Sequence, residues 1–318
     1  MSVFHLNEFI NSIGNLSNAA SNGLLKNIVA FIVFTLIIYA CGTSSTGVVD
    51  DFDYEAQALM DNDTLVKFLK NHYFDTSVDS VKTLVAGETA LYDDSKLKSM
   101  SVTDFEVDYT LYYYTNRIGS PSIDKGFPTV MDSVFVKYFG QRIVNTDSIS
   151  NSFDNNNGIW FTLNSVIRGW TFGYTKFKGG DNITDNGPIT YENGGNGILF
   201  IPSGLAYSNQ GKGPILANES VFFYINLFDF VQDTDHDNDG IPSINEDVDG
   251  NDDPRDDDTD KDGVPNYSDI DDDGDGVLTK DEDANGDGNP ANDFSDSNNP
   301  TLADYLNPVS YTHLTLPT

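Results

Sequence analysis

Phe200-Ile-Pro-Ser-Gly-Leu-Ala-Tyr207, with Val166-Ile-Arg-Gly-Trp170 before it and Ser220-Val-Phe-Phe-Tyr-Ile-Asn-Leu227 after it, is the stretch whose reading decides the fold. As local structure, Gly197 to Ile201 and Ser220 to Phe230 are short apolar and aromatic runs, which predict strands. Ser165 to Phe177 is the one convincing helix of this region. Working outward, Val107, Tyr109, Leu111 and Tyr113 alternate with Asp108, Thr110, Tyr112 and Tyr114, the period of a strand with one buried face. Ser133 to Tyr138 is a further strand. A mostly antiparallel sheet wrapped on a single short helix is an α+β fold. Further out, Tyr54 to Tyr73 reads as a helix on Leu59, Leu65, Val66, Leu69 and Tyr73, with Asp61 or Asn62 placed to cap a second start within it. Residues 74–103 show no clear period and are expected to form a small helical or irregular preface to the next domain.

Charge narrows the function classes. The 318 residues hold 17 Lys+Arg against 50 Asp+Glu, a formal net charge of -33. Such an excess repels DNA, RNA and anionic lipid, which sets a nucleic-acid role aside. Residues 233–296 carry 25 of the 50 acids beside only Arg255, Lys261 and Lys280, a net -22, whereas residues 42–232 carry an ordinary -10. The unusual charge therefore belongs to one C-terminal segment. With 21 Phe, 16 Tyr and 2 Trp the chain has ample core material. One cysteine, Cys41, rules out an intramolecular disulfide, and the four histidines show no metal-ligand spacing.

The ordered set Val136-Lys-Tyr138-Phe-Gly140, Phe153-Asp154, Val166-Ile-Arg-Gly-Trp170, Phe200-Ile-Pro-Ser-Gly-Leu-Ala-Tyr207 and Ser220 to Leu227 resembles an FKBP-type peptidyl-prolyl cis-trans isomerase over about residues 105 to 230. The resemblance implies an FKBP-like antiparallel sheet wrapped on one short helix. It also implies a reaction without lasting covalent change, in which an X-Pro amide twists through a barrier of ~18–20 kcal/mol. Lowering that barrier calls for a dry aromatic slot and a few donors that favour the twisted amide, with no cofactor, general base or nucleophile. Carried over, Trp170 is the slot floor, and Tyr138, Phe153, Val166, Ile167 and Phe223 are its walls. The Ile167 N–H and the Tyr207 hydroxyl donate to substrate carbonyls, Asp154 stands at the rim, and Ile215 occupies the flap. Four departures accompany the match. Ser208 stands where the family usually has glycine. Leu216-Ala217 replaces a Pro-Pro pair. The aromatic expected before Val166 has three candidates in Ile159, Trp160 and Phe161. A polar, Gly/Asn-rich insertion runs between Lys178 and Leu199.

The acidic segment contains four windows with the spacing of calcium loops. Asp235-x-Asp237-x-Asp239-Gly240 with Glu246 at position twelve, and Asp271-x-Asp273-x-Asp275-Gly276 with Glu282, fit the pattern fully. Asp258-x-Asp260-x-Asp262-Gly263 with Asp269 is a near match, and Asp283-x-Asn285-x-Asp287-Gly288 is weaker. Ca²⁺ takes six to eight oxygens, so alternate carboxylates turn inward and glycine permits the sharp turn at position six. Pro242 and Pro265 sit where an EF-hand pair uses a backbone N–H, and the third loop runs straight into the fourth. The spacing therefore resembles thrombospondin type 3 repeats, which implies structural Ca²⁺ in an irregular C-terminal stalk. The plain alternative is a solvated acidic tail.

At the other end, Ile28 to Ala40 is a thirteen-residue apolar run, too short to span a bilayer and suited to a signal h-region. Ile38-Tyr39-Ala40-Cys41 resembles a bacterial lipobox, which implies acylation of Cys41. Residues 1–24 fit a leader poorly, so the expected start lies near residue 25. Val309 to Thr318 resembles translated sequencing-adapter read-through and is set apart from the fold. The expected organisation is a leader (1–41), a tether and small helical region (42–103), an isomerase domain (104–231), calcium repeats (232–300) and a tail (301–318). The expected protein is a lipid-anchored envelope isomerase, of the outer membrane, acting on proline-containing exported clients. The rival is a proline-binding or Ca²⁺-dependent architectural lipoprotein without turnover.

Overall fold

The computed structural model describes residues 51–309, so the expected leader, the lipobox and Cys41 lie outside the described residues. Its centre is an antiparallel sheet of six strands in the order β3 (Leu97–Asp104), β4 (Val107–Arg117), β9 (Gly195–Ile201), β10 (Val221–Val231), β5 (Ser133–Asn145) and β6 (Ser148–Thr162). Side chains alternate across this sheet and supply two cores. Tyr109, Leu111, Val134, Val136, Leu199, Ile201, Val221, Phe223 and Ile225 face one side. Tyr112, Tyr114, Ile198, Phe200, Phe222 and Tyr224 face the other.

The first side is covered by helix α2 (Arg168–Gly173), flanked by single 3₁₀ turns at Leu163–Ser165 and Tyr174–Lys176. The continuous helix expected over Ser165 to Phe177 is thus six residues of α-helix between two tighter turns. Gly169 and Gly173 explain both its brevity and its position. They weaken the helix, and they let its backbone lie on β9: a Cβ at Gly173 would sit 2.5 Å from Leu199 Cδ1, and one at Gly169 would clash with Ile201.

The second side is covered by helix α1 (Tyr54–Asn71), so the sheet has a helix on each face rather than a single helix in its wrap. Asp53 caps α1 by accepting from the Ala56 N–H at 2.9 Å, and no second start occurs within it. Leu65, Phe68 and Leu69 are fully buried, each contributing roughly 1.5–3 kcal/mol of apolar burial. Phe68 meets Phe222 and Phe200 at ring distances of 5.7 and 6.2 Å.

Residues 74–103 are not the small helical or irregular preface expected. They form the hairpin β1 (His72–Asp75) and β2 (Ser80–Thr83), followed by β3, an outer strand of the main sheet. The β3–β4 turn escaped notice because its two central residues, Phe105 and Glu106, adopt φ of +48° and +63°. A two-residue hairpin turn of that hand normally announces itself with Asn-Gly or Asp-Gly. The long edge strand β6 was missed for a similar reason: Ser148 to Asn157 is rich in Ser and Asn, and its pairing with β5 shifts register four times. The insertion after Lys178 forms a small hairpin, β7 (Asp181–Asn182) with β8 (Tyr191–Glu192). Its Tyr191 packs on Phe228 and Phe135 at 5.7 and 5.5 Å, away from α2.

Among the described residues no α-helix follows Val231. The acidic segment runs as irregular chain with 3₁₀ turns at Ser243–Glu246, Asn266–Ser268, Thr279–Asp281 and Pro290–Asn292. It does not stand off as a stalk, because the described residues from Asp53 onward, 53–309, belong to one compact unit. Its first residues are tied to the base of β5: the Thr234 N–H donates to Asp132 Oδ1 at 3.2 Å, and the Ser133 N–H donates to Thr234 Oγ1 at 3.0 Å.

Candidate active site

Trp170 projects from α2 into a ring of aromatic edges. Tyr138 from β5, Phe223 from β10, Phe161 from β6 and Tyr174 lie 4.8, 4.9, 5.5 and 5.6 Å from its ring. All four meet it at 65–87°, the edge-to-face arrangement that aromatic quadrupoles favour. With only 6% of its surface exposed, the indole is a floor. Phe161 therefore fills the aromatic position that the sequence left open. Trp160, one residue away on the opposite face, stacks on Phe135 instead.

The residues expected at the site are brought together. Tyr138, Trp170, Ile215 and Phe223 are buried in one cluster, with Phe153, Val166, Ile167 and Tyr207 half-buried against it. Phe153 stands edge-on to Phe223 at 5.4 Å. Asp154 is exposed at the rim and accepts a 2.9 Å hydrogen bond from the Tyr138 hydroxyl. Ile167 precedes the first turn of α2, and its carbonyl accepts from the Trp170 N–H at 2.8 Å. Its own N–H belongs to the set that a helix start leaves without an intrahelical acceptor.

Burial, reinforced by the Asp154 contact, pushes the Tyr138 hydroxyl up to about 12. Burial likewise raises the Tyr207 hydroxyl, with the charge of Asp154 adding to the effect. Both phenols thus stay protonated near neutral pH and act as donors. Tyr138 spends its proton on Asp154, while no hydrogen bond to a described residue engages the Tyr207 hydroxyl.

Two supports behind the slot were not read from the sequence. Asp61 of α1, only 2% exposed, accepts from the Ser203 N–H and Oγ–H, both at 2.6 Å, and from Gln57 Nε2 at 2.7 Å. It fastens the turn that leads to Tyr207 onto α1. The flap loop is stitched to β5 by Arg142 Nη1, which donates to the Pro214 carbonyl at 2.6 Å and to Glu219 Oε2 at 3.2 Å. Ser208 adopts φ +51°, so the position that usually carries glycine takes a left-handed conformation here.

A fold and a slot of this kind have relatives. Residues 124–228 match the family model of the FKBP-type peptidyl-prolyl cis-trans isomerases. The chain carries an FKBP-type domain. Over 101 residues it is 34% identical to the peptidyl-prolyl cis-trans isomerase Mip of Coxiella burnetii, covering 31% of this chain and 37% of that protein. Over 149 residues it is 28% identical to the FKBP-type peptidyl-prolyl cis-trans isomerase FkpA of Aeromonas hydrophila, 47% of each. The chain thus spans less than half the length of these curated relatives. The solved structure of FkpA from Escherichia coli aligns with 73% of this chain and 83% of that one at 19% identity and a TM-score of 0.33. Residues 236–300 match a second family model, described as BamM C-terminal. The acidic segment that the sequence likens to thrombospondin type 3 repeats therefore has a different family match.

Beyond the FKBP-type domain, three of the four acidic windows close into groups whose carboxylate oxygens lie within 4.8 Å of one another: Asp235/Asp237/Asp239, Asp258/Asp260/Asp262 and Asp271/Asp273/Asp275. Glu246 joins Asp239 and, from the third loop, Asp272, so two loops share a fully buried set. Asp269, Glu282, Asp283 and Asp287 stand outside any such three-acid group, and Asn285 donates to Asn292. Both Glu246 oxygens, Asp239 Oδ2, Asp272 Oδ1 and Asp273 Oδ2 are buried without a hydrogen-bond partner. Burial, and after it the neighbouring carboxylates, push Glu246 up to about 10 and Asp272 to about 8. Unpartnered, inward-facing oxygens at this density fit a hard divalent cation.

Proposed function

We propose that the FKBP-type domain catalyses cis-trans rotation about X-Pro bonds of polypeptide clients. The observation that carries this reading is the Trp170 floor enclosed by Tyr138, Phe161 and Phe223, with the Tyr207 hydroxyl beside it. The apolar walls accept the pyrrolidine ring and strip water from the amide. Because conjugation resists rotation, a donor that binds the twisted amide better than the planar one lowers the barrier. In this reading the Tyr207 hydroxyl and the Ile167 N–H hold the flanking carbonyls, and Asp154 steadies the Tyr138 wall by accepting from its hydroxyl. No proton needs to leave the protein, in keeping with two phenols that remain protonated.

The test is the isomerisation rate of short Leu-Pro and Phe-Pro peptides with the purified protein, in Ca²⁺ and in chelator. Acceleration that the double variant Tyr207→Phe, Asp154→Ala loses supports the enzyme. A folded protein that binds prolyl peptides without accelerating them supports the rival, a proline-binding module.

The remaining parts of the reading are proposals of the same kind. Ca²⁺ ordering the acidic segment is supported by the buried unpartnered oxygens of Asp239, Glu246, Asp272 and Asp273. Equilibrium dialysis against Ca²⁺ with Glu246→Gln as control tests it. Export to the bacterial envelope, anchoring in the outer membrane through Cys41 and action on exported clients rest on the lipobox resemblance. Fatty-acid labelling that persists in Cys41→Ser would overturn the anchor.

A further inference from the structure

A fifth acidic loop, absent from the windows that fit the D-x-D-x-D-G spacing, lies closer to the slot than the sequence suggests. Oxygens of Asp247, Asp249 and Asp257 converge within 4.8 Å of one another. Asp257 is only 8% exposed; its Oδ1 accepts from the Asp249 N–H at 3.2 Å, and its buried Oδ2 has no partner. Asp247 turns the backbone inward, Oδ1 accepting from the Gly250 and Asn251 N–H groups and Oδ2 from that of Asp252.

Between the converging acids the loop carries Asp253, which reaches the slot helix, and Arg255, which holds Asp253 in place. Arg168, the first residue of α2 and two before Trp170, donates through Nη2 to Asp253 Oδ2 at 3.1 Å. Through Nε it donates to Asp104 Oδ1, at the end of β3, at 3.0 Å. Arg255 grips Asp253 with two bonds of 2.7 Å and lies 3.7 Å from Asp104. The Arg168 and Asp104 side chains are only 11% and 12% exposed. A shielded pair of this kind holds position well when complete and is costly when one partner leaves.

We propose that a divalent cation held by Asp247, Asp249 and Asp257 locks this loop and, through Asp253, Arg255 and Arg168, fixes the helix that carries the slot floor. The proposal rests on the reading of the Trp170 slot as the site. Without the ion, three like charges within 4.8 Å repel, and the segment that opens is the one bearing Asp253 and Arg255. With it, the same three groups become ligands and the clamp closes on α2. Three carboxylates on an irregular loop suit the larger, adaptable coordination shell of Ca²⁺ better than the strict octahedron of Mg²⁺.

The experiment is hydrogen exchange of the full chain, followed by mass spectrometry, in Ca²⁺ and in EGTA, comparing the peptide over residues 166–173 with a reference peptide from β9. Wild type should show roughly tenfold slower exchange of the slot helix in Ca²⁺ with the β9 reference unchanged, a ratio that corresponds to ~1.4 kcal/mol. The double variant Asp247→Asn, Asp249→Asn should bind one Ca²⁺ fewer by equilibrium dialysis and lose the protection. Arg168→Gln should keep the full ion count and lose it too. A double variant with the wild-type ion count, or a wild-type slot helix indifferent to Ca²⁺, overturns the proposal. Turnover of a prolyl peptide in the same samples separates the two readings. Intact Ca²⁺-dependent protection without turnover fails the isomerase alone and leaves the clamp standing.

Discussion

Gly140→Ala is the substitution that most directly tests how the slot walls are held. Gly140 lies in β5, opposite Phe223 of β10 on one side and Asp154 of β6 on the other. A Cβ there would sit 2.5 and 2.9 Å from Phe223 Cε1 and Cδ1 and 2.8 Å from Phe153 Cζ. Ordinary carbon contacts fall near ~3.5–4.0 Å, so each ring must retreat by about 1 Å. Phe153, on the edge strand and half-buried, can swing outward. Phe223 is 1% exposed in a strand paired on both sides, and its ring already abuts Trp170 at 4.9 Å, so its retreat compresses the floor. Overpacking of this kind costs ~1–3 kcal/mol. With one of the two rings able to yield, about 2 kcal/mol is expected in urea unfolding. A wall displaced by about 1 Å costs on the order of 10–100-fold in a positioned reaction, so kcat/KM for a Leu-Pro peptide should fall by at least tenfold. A variant within 0.5 kcal/mol of wild type, a change of the size roughly expected for neutral surface substitutions, and with unchanged kcat/KM would refute the claim that these rings are the walls.

Other expectations follow from features away from the slot. Asp61→Ala removes one acceptor from the buried Ser203 N–H and Oγ–H and from Gln57. Unsatisfied buried donors cost ~1–3 kcal/mol each. Burial raises the Asp61 carboxyl, which offsets part of this loss, and a net loss near 3 kcal/mol by denaturant unfolding is expected; under 1 kcal/mol would contradict it. Ser208→Gly should stabilise the protein by about 0.5–1 kcal/mol by relieving a left-handed serine, read as a higher urea midpoint. A lower midpoint would show that the serine side chain outweighs its backbone strain. His72 is fully buried, its Nδ1–H donates to the Phe68 carbonyl, and burial lowers its pKa. A depressed imidazole stabilises the fold above the free value near 6.5 and loses that contribution as pH falls below it. Stability should therefore drop more between pH 7.5 and 5.5 in wild type than in His72→Leu, by up to about 1.4 kcal/mol, one pH unit below the free value. Equal drops would remove His72 from the account.

What could be read beforehand divides along physical lines. Tyr138, Phe153, Trp170, Tyr207 and Phe223 were singled out by the family resemblance, whose ordered strings contain all five, and the structure gathers them in one cluster. Phe161 was one of three candidates, and only the alternation along β6 sets it inward and Trp160 outward. The edges of the sheet were illegible. β3 and β6 bury one face at most, so their apolar signal is sparse, and the Phe105-Glu106 turn carries none of the usual residues. Asp61 looked like a helix cap because its partner, Ser203, is remote in sequence. The 247–257 loop escaped because its glycine, Gly250, falls at position four rather than six, and Arg255 looked like a stray charge until Asp253 and Asp104 were placed around it.

The position of β10 has a consequence for how the chain is made. Among the described residues β10 is the last strand in sequence, yet it lies between β9 and β5 and there alone joins β3-β4-β9 to β5-β6. Until Val231 is available, the sheet exists as two pieces, each with a bare edge of unpaired N–H and C=O groups. Such edges recruit strands from other chains, and pairings this distant in sequence close slowly. Synthesis arrested before residue 221 should yield aggregating material rather than a smaller soluble domain, so closure is decided by the last strand to arrive.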